Sequence, residues 1–274
     1  MPSFWENLRF PGQREMDDLQ GQQGQDMVCY VSHPPPSAGT SFPAIIVVQE
    51  AFGVTRHIEK VCDRFAQEGY VAVAPALYHR EHPNPKLGYG DSDVPARNRY
   101  MGALRDEELI EDLNVTVNYL QVRFPRTRGR KIGIVGYCVG GRITYLAATS
   151  CAGISAASVY YGGRILVPFG EGPAPIDLSH QIKVPVMGNF GALDTNPTTQ
   201  DVAKIEAQLK AAGVTYDFKI YPQAGHGFNC DERASYHEAS AKDALARTLG
   251  WFDKYVKQEV PAARQASARG SRRA

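Results

Sequence analysis

Short continuous apolar runs alternate along this chain with longer stretches whose apolar residues recur at helical spacing. Residues 44–48 read Ala-Ile-Ile-Val-Val, the pattern of a central parallel strand buried on both faces. A helix is predicted over 57–68, where Ile58, Val61, Cys62, Phe65 and Ala66 fall at i, i+3, i+4, i+7 and i+8, which makes Cys62 a packing residue. Further strands are expected over 27–31, 71–74, 155–160, 184–187 and 216–220. Further helices are expected over 106–122, 198–211 and 235–256, the last opened by a capping box from Ser235 and Glu238. Residues 79–100 break the rhythm with Pro83, Pro85, Pro95, Gly88 and Gly90, and a loop of that length often serves as a lid or substrate-binding loop. Strands alternating with helices predict an α/β fold: one doubly wound, mostly parallel sheet with helices on both faces.

Chemistry enters at residues 131–142, Lys-Ile-Gly-Ile-Val-Gly-Tyr-Cys-Val-Gly-Gly-Arg. A β-branched run stops at Cys138, with Gly136 two positions before it and Gly140 two after, and Ile143, Leu146 and Ala147 follow at helical spacing. Strand, turn and helix in that order match the nucleophile elbow G-x-[nucleophile]-x-G, with sulfur where serine usually stands. The following helix points unpaired N–H groups and its positive dipole end at the sulfur, favouring a thiolate and an oxyanion beside it. The plainer alternative is a buried structural cysteine.

Composition narrows the function classes. The chain has 274 residues, and its 30 Lys and Arg balance 29 Asp and Glu, so the formal charge of +1 makes no electrostatic case for nucleic acid or an anionic membrane. The N-terminus carries Glu6, Glu15, Asp17 and Asp18 without an apolar core, so no secretory signal is read and a cytoplasmic location is expected. Five widely spaced cysteines without a C-x-x-C suggest neither a disulfide framework nor a zinc site. His79 and His82 are read as loop histidines beside Pro83 and Pro85; no metal and no cofactor are expected. Residues 1–25 are read as a polar extension with a flexible Gln-Gly run, 26–258 as a single domain, and 259–274 as a basic, disordered tail. A monomer acting on a small molecule is expected.

A cysteine nucleophile needs a base and a group that orients the base. Asp194 follows the 184–187 strand in Gly-Ala-Leu-Asp, and His226 follows the 216–220 strand in Gly-His-Gly-Phe. Both fall at carboxyl ends of strands, where open α/β sheets bind ligands, and in the order nucleophile, acid, histidine. Alone, Asp194 would pass as a turn or helix cap and Gly-His-Gly as an ordinary turn. Glu50, at the end of the 44–48 run, is a carboxylate costly to bury without a partner. Beside Cys138 it would disfavour the thiolate and accept a hydrogen bond from the neutral thiol.

Gln49-Glu50-Ala51-Phe52-Gly53, Gly136-Tyr137-Cys138-Val139-Gly140-Gly141, Tyr160-Tyr161-Gly162-Gly163, Gly191-Ala192-Leu193-Asp194 and Gly225-His226-Gly227-Phe228 stand in the order of the dienelactone hydrolase (carboxymethylenebutenolidase) family, which the chain resembles over about 26–256. The resemblance implies an α/β-hydrolase fold, a Cys138, His226, Asp194 triad, and an oxyanion hole from the N–H groups of Ala51 and Val139. It also implies Glu50 as partner of the resting thiol and Tyr161 near the substrate. Dienelactone-hydrolysing members resemble one another in using arginines to hold the substrate carboxylate, one of them four residues after the histidine. Here that position is Cys230, with Arg233 nearby and Arg97, Arg99 and Arg105 in or beside the long loop; Arg97 and Arg99 are the candidate substrate arginines. Three readings follow: hydrolysis of a dienelactone-like lactone or ester through a thioester, an esterase for neutral esters or lactones with the same triad, and a non-catalytic small-molecule-binding or thiol-redox protein on the same scaffold.

Overall fold

The computed structural model describes residues 1–10 and 26–257. The Gln-Gly run at 20–25 and the basic tail at 259–274 lie outside the described residues. Eight strands form one sheet: β1 (Ser3–Leu8), β2 (Met27–Ser32), β3 (Ala44–Val48), β4 (Val71–Pro75), β5 (Ile132–Tyr137), β6 (Ile154–Tyr160), β7 (Val186–Gly191) and β8 (Tyr216–Tyr221), in the order β1-β2-β4-β3-β5-β6-β7-β8. Strands β3 to β8 pair in parallel, and β1 and β2 add an antiparallel edge. The helices are α1 (Arg56–Gln67), α2 (Val94–Ala103), α3 (Asp106–Asn118), α4 (Val139–Ser150), α5 (Thr199–Ala211) and α6 (Glu238–Phe252).

The continuous apolar runs are explained by two cores, one on each face of the sheet. Along β3, Ala44, Ile46 and Val48 join one cluster and Ile45 and Val47 the other, so alternate residues of one strand serve opposite faces. Chain order reverses between β3 and β5: β3 leads outward to β4, and the chain returns to place β5 on the other side of β3. The crevice at the carboxyl ends of these two strands is therefore the switch point where α/β sheets take ligands.

Four expectations need correction or refinement. Residues 3–8, read as part of a polar extension, form edge strand β1 on β2, with Leu8 buried. The predicted loop 79–100 contains most of α2, because Pro95 sits in a first helical turn, where its missing N–H costs nothing. The Ser235 capping box is not formed: α6 starts at Glu238, and the His237 side chain caps it by accepting from the Ser240 N–H. His79, read as a loop histidine, is 3% exposed, with Nε2 3.2 Å from the Asp112 carboxylate. Among the described residues no helix is long and apolar enough to cross a membrane.

The helix after the elbow is anchored by a charge. Arg142 is fully buried, and its Nη2 donates to Asp106 Oδ2 at 2.8 Å and to the Val167 carbonyl at 2.8 Å, while its guanidinium lies 3.7 Å from the Phe169 ring centroid. Removing one partner of such a pair strands the other charge in the interior. Asp106→Ala is accordingly expected to lower stability by about 3–5 kcal/mol in urea unfolding; a loss below about 1 kcal/mol would show that Arg142 does not depend on this carboxylate.

Candidate active site

Register brings the central residues together. Val48 of β3 pairs with Gly136 of β5, so Glu50 and Cys138, each two residues further on, leave the sheet side by side. Cys138 is half-buried at the N-cap of α4 with φ 59° and ψ −122°, a conformation that costs a non-glycine residue about 1–3 kcal/mol. The elbow leaves no room for side chains at its flanks. A Cβ on Gly136 would lie 2.0 Å from the Gly140 carbonyl oxygen, and one on Gly140 would lie 2.4 Å from that of Gln49. The first turn of α4 thus rests directly on the end of β3. Val139 opens the helix, so its N–H has no intrahelical acceptor. Ala51 sits in the Glu50 to Gly53 turn, its carbonyl accepting from the Tyr78 hydroxyl at 3.2 Å.

Asp194 and His226 follow the adjacent strands β7 and β8. The His226 Nδ1 lies 2.8 Å from Asp194 Oδ2, and Asp194 is held in turn by the Asn196 N–H on Oδ1 at 2.8 Å. Burial alone would weaken the hold of His226 on its proton, but the Cys138 sulfur and the Asp194 carboxylate outweigh it and push the pKa up from 6.5 to about 10. Tyr161, with φ 37°, packs its ring 5.2 Å from that of His226, and its buried hydroxyl has no hydrogen-bond partner.

Glu50 departs from expectation. It is fully buried, but its partners are the Tyr89 hydroxyl at 3.3 Å and Arg233 Nη1 at 3.4 Å; no hydrogen bond joins it to Cys138. Tyr89, from the proline-rich segment, also accepts from the Cys230 thiol at 3.3 Å. Burial and the Glu50 charge push that thiol up to about 11. The Arg233 guanidinium lies 5.6 Å and 5.8 Å from the Phe52 and Tyr89 ring centroids. Of the candidate substrate arginines, Arg97 lies on α2 hydrogen-bonded to Asn98, its charge felt at Tyr78, which also feels Cys138. Arg99 is exposed and paired with Glu81 at 3.0 Å. The arginine at Glu50 is Arg233, seven residues after His226, which a fixed four-residue spacing does not find.

Residues 28–256 match the model of the dienelactone hydrolase family. The chain belongs to that family. A Salmonella typhimurium protein named "Putative carboxymethylenebutenolidase" is 38% identical over 238 residues, 85% of this chain and 84% of its own. A Klebsiella pneumoniae crystal structure described as a "Putative Dienelactone Hydrolase" superposes with a TM-score of 0.75 at 34% identity, covering 93% of this chain and 100% of that one. The Pyrococcus horikoshii acylaminoacyl peptidase shares the fold, with a TM-score of 0.65 at 15% identity over 95% of this chain and 43% of its own. This dienelactone hydrolase family member therefore has the α/β-hydrolase fold and is a hydrolase of lactone or ester bonds.

The raised His226 proton affinity carries a stability signature. A group that binds its proton more tightly when folded contributes fully below its unfolded pKa near 6.5, and that contribution is lost as pH rises through about 10. Asp194→Asn and Cys138→Ala should each lower the folded value, which histidine NMR titration reads, and flatten the fall in stability between pH 6.5 and 10. A His226 titration unmoved by both substitutions would contradict this electrostatic account.

Proposed function

We propose that this hydrolase opens a lactone or cleaves a small ester through Cys138. His226 holds the proton given up by the Cys138 thiol, and the sulfur attacks the carbonyl carbon. The resulting oxyanion is held by the Ala51 and Val139 N–H groups, each donor of this type being worth about 10²–10³ in rate. Collapse expels the alkoxide, which His226 protonates, and leaves a thioester on Cys138. Water deprotonated by His226 then attacks the thioester, releasing the acid and restoring the thiol. Asp194 holds the imidazole in register throughout. The observation that carries the reading is the strained Cys138 at the start of α4, with its sulfur within electrostatic reach of a His226 already bound to Asp194.

For the substrate, we favour an anionic, dienelactone-like lactone. Arg233 supplies a cation at Glu50, Arg97 a second on α2, and the unpartnered Tyr161 hydroxyl a donor beside His226. A neutral ester or lactone is the second reading, favoured by Cys230 at the expected arginine position and by the neutralisation of Arg233 by Glu50. Both readings keep the expectations of a cytoplasmic monomer that needs no cofactor.

Cys138→Ala should cut ester and lactone hydrolysis on the order of 10⁴-fold or more while leaving the fold intact by circular dichroism; parent-like activity would eliminate this nucleophile. In a comparison of anionic and neutral lactones of one size, Arg233→Gln should lower kcat/KM about tenfold or more for the anionic one alone, since a charge-assisted hydrogen bond is worth about 1.5–3 kcal/mol. An equal loss for both, or none, favours the neutral reading.

A further inference from the structure

Behind the proposed catalytic residues lies a second cluster, which shares Glu50 with the crevice. Glu50 at the end of β3, His57 in the first turn of α1 and Cys230 in the turn after His226 each offer a ligand atom, all within 4.8 Å of one another. All three residues are buried, at 0%, 4% and 0% exposure. A second observation points the same way. His57 Nε2 is buried without a hydrogen-bond partner, while Nδ1 of the same ring lies 3.6 Å from the Asp231 carboxylate. A carboxylate beside one imidazole nitrogen, here just beyond hydrogen-bond distance, with the other nitrogen bare, resembles the arrangement that orients a metal-binding histidine. A buried ring nitrogen without a partner otherwise leaves its lost hydration uncompensated.

From these features we infer a binding site for one thiophilic divalent cation, with zinc(II) the best match, ligated by the Glu50 carboxylate, His57 Nε2 and the Cys230 thiolate. Sulfur, imidazole and carboxylate are the three ligand types zinc takes, and a three-residue set leaves a fourth position for water or the Tyr89 hydroxyl, which is 3.3 Å from both Cys230 Sγ and Glu50 Oε2. Tetrahedral ligation at about 2.0–2.3 Å places donors roughly 3.6 Å apart, so the cluster closes by about an ångström on binding. Charge balances: thiolate and carboxylate cancel the dication, and the thiol proton passes to solvent. The approach is from the side of α1, where His57 and Asp231 line a surface cavity with Lys60 and Asn229. Because Glu50 also holds Arg233, the ion and the guanidinium compete for one carboxylate.

The test uses the full chain with Cys138→Ala, so that the proposed nucleophile is not a ligand, after metal is stripped with a chelator. Titration with cobalt(II) should show one equivalent bound and a thiolate-to-cobalt charge-transfer absorption. Adding Cys230→Ser should abolish that absorption and weaken zinc(II) binding, read by competition with a chromophoric chelator, beyond the ~10–100-fold that loss of an outer-sphere partner costs. His57→Gln should keep the absorption but weaken zinc(II) at least tenfold, which holds the inference to account even if the serine variant fails to fold. No binding by the Cys138→Ala chain, or binding unchanged by His57→Gln, overturns it.

Discussion

The candidate site depends on one close approach. The first turn of α4 rests on the end of β3, at a distance only glycine at position 140 allows, and β3 and β5 are in register through Val48 and Gly136. Two strand ends are thereby locked together, and whatever leaves them leaves side by side: Glu50 and Ala51 from one, Cys138 and Val139 from the other. The strained backbone at Cys138 is tolerable because two apolar cores and the buried Arg142–Asp106 pair fix the elements around it. Stability spread over the sheet and helices thus holds a local conformation that the chain would not adopt alone.

Electrostatics divides the crevice into two neighbouring parts. On one side, His226 lies between Asp194 and the Cys138 sulfur, and the two outweigh burial to raise its proton affinity. On the other, Glu50 is matched by Arg233 and Tyr89, with Cys230 kept neutral by burial and by the carboxylate beside it. The Glu50 charge is therefore spent chiefly on the second part. The direct hydrogen bond to Cys138 expected from its position beside that residue is not formed.

Much of this arrangement is legible in the sequence, and the exceptions have physical causes. The buried strands announce themselves as runs without polar interruption, and the elbow by glycines where backbone must meet backbone. Asp194 and His226 can be found because strand ends are local features. Arg233 and Tyr89 could not be placed, since their meeting at Glu50 depends on how two irregular segments fold back over β3, and no periodicity records that. Helix α2 was obscured by Pro95, a breaker inside a helix but a good residue in its first turn. Strand β1 was obscured by its edge position: its exposed face carries Ser3, Trp5 and Asn7, and Glu6 interrupts the opposite face between Phe4 and Leu8, so the segment reads as a polar lead-in.

The central claim is that the acyl group of the substrate is transferred to the Cys138 sulfur as the alkoxide leaves. It is tested most directly by mixing the parent enzyme with an activated ester, quenching in acid on the millisecond scale, and measuring the intact mass and the modified peptide. The account predicts an adduct of one acyl group, confined to Cys138, that forms and decays at rates consistent with turnover. Product release with no such adduct, or an adduct at Cys138 that persists while turnover continues, would contradict it.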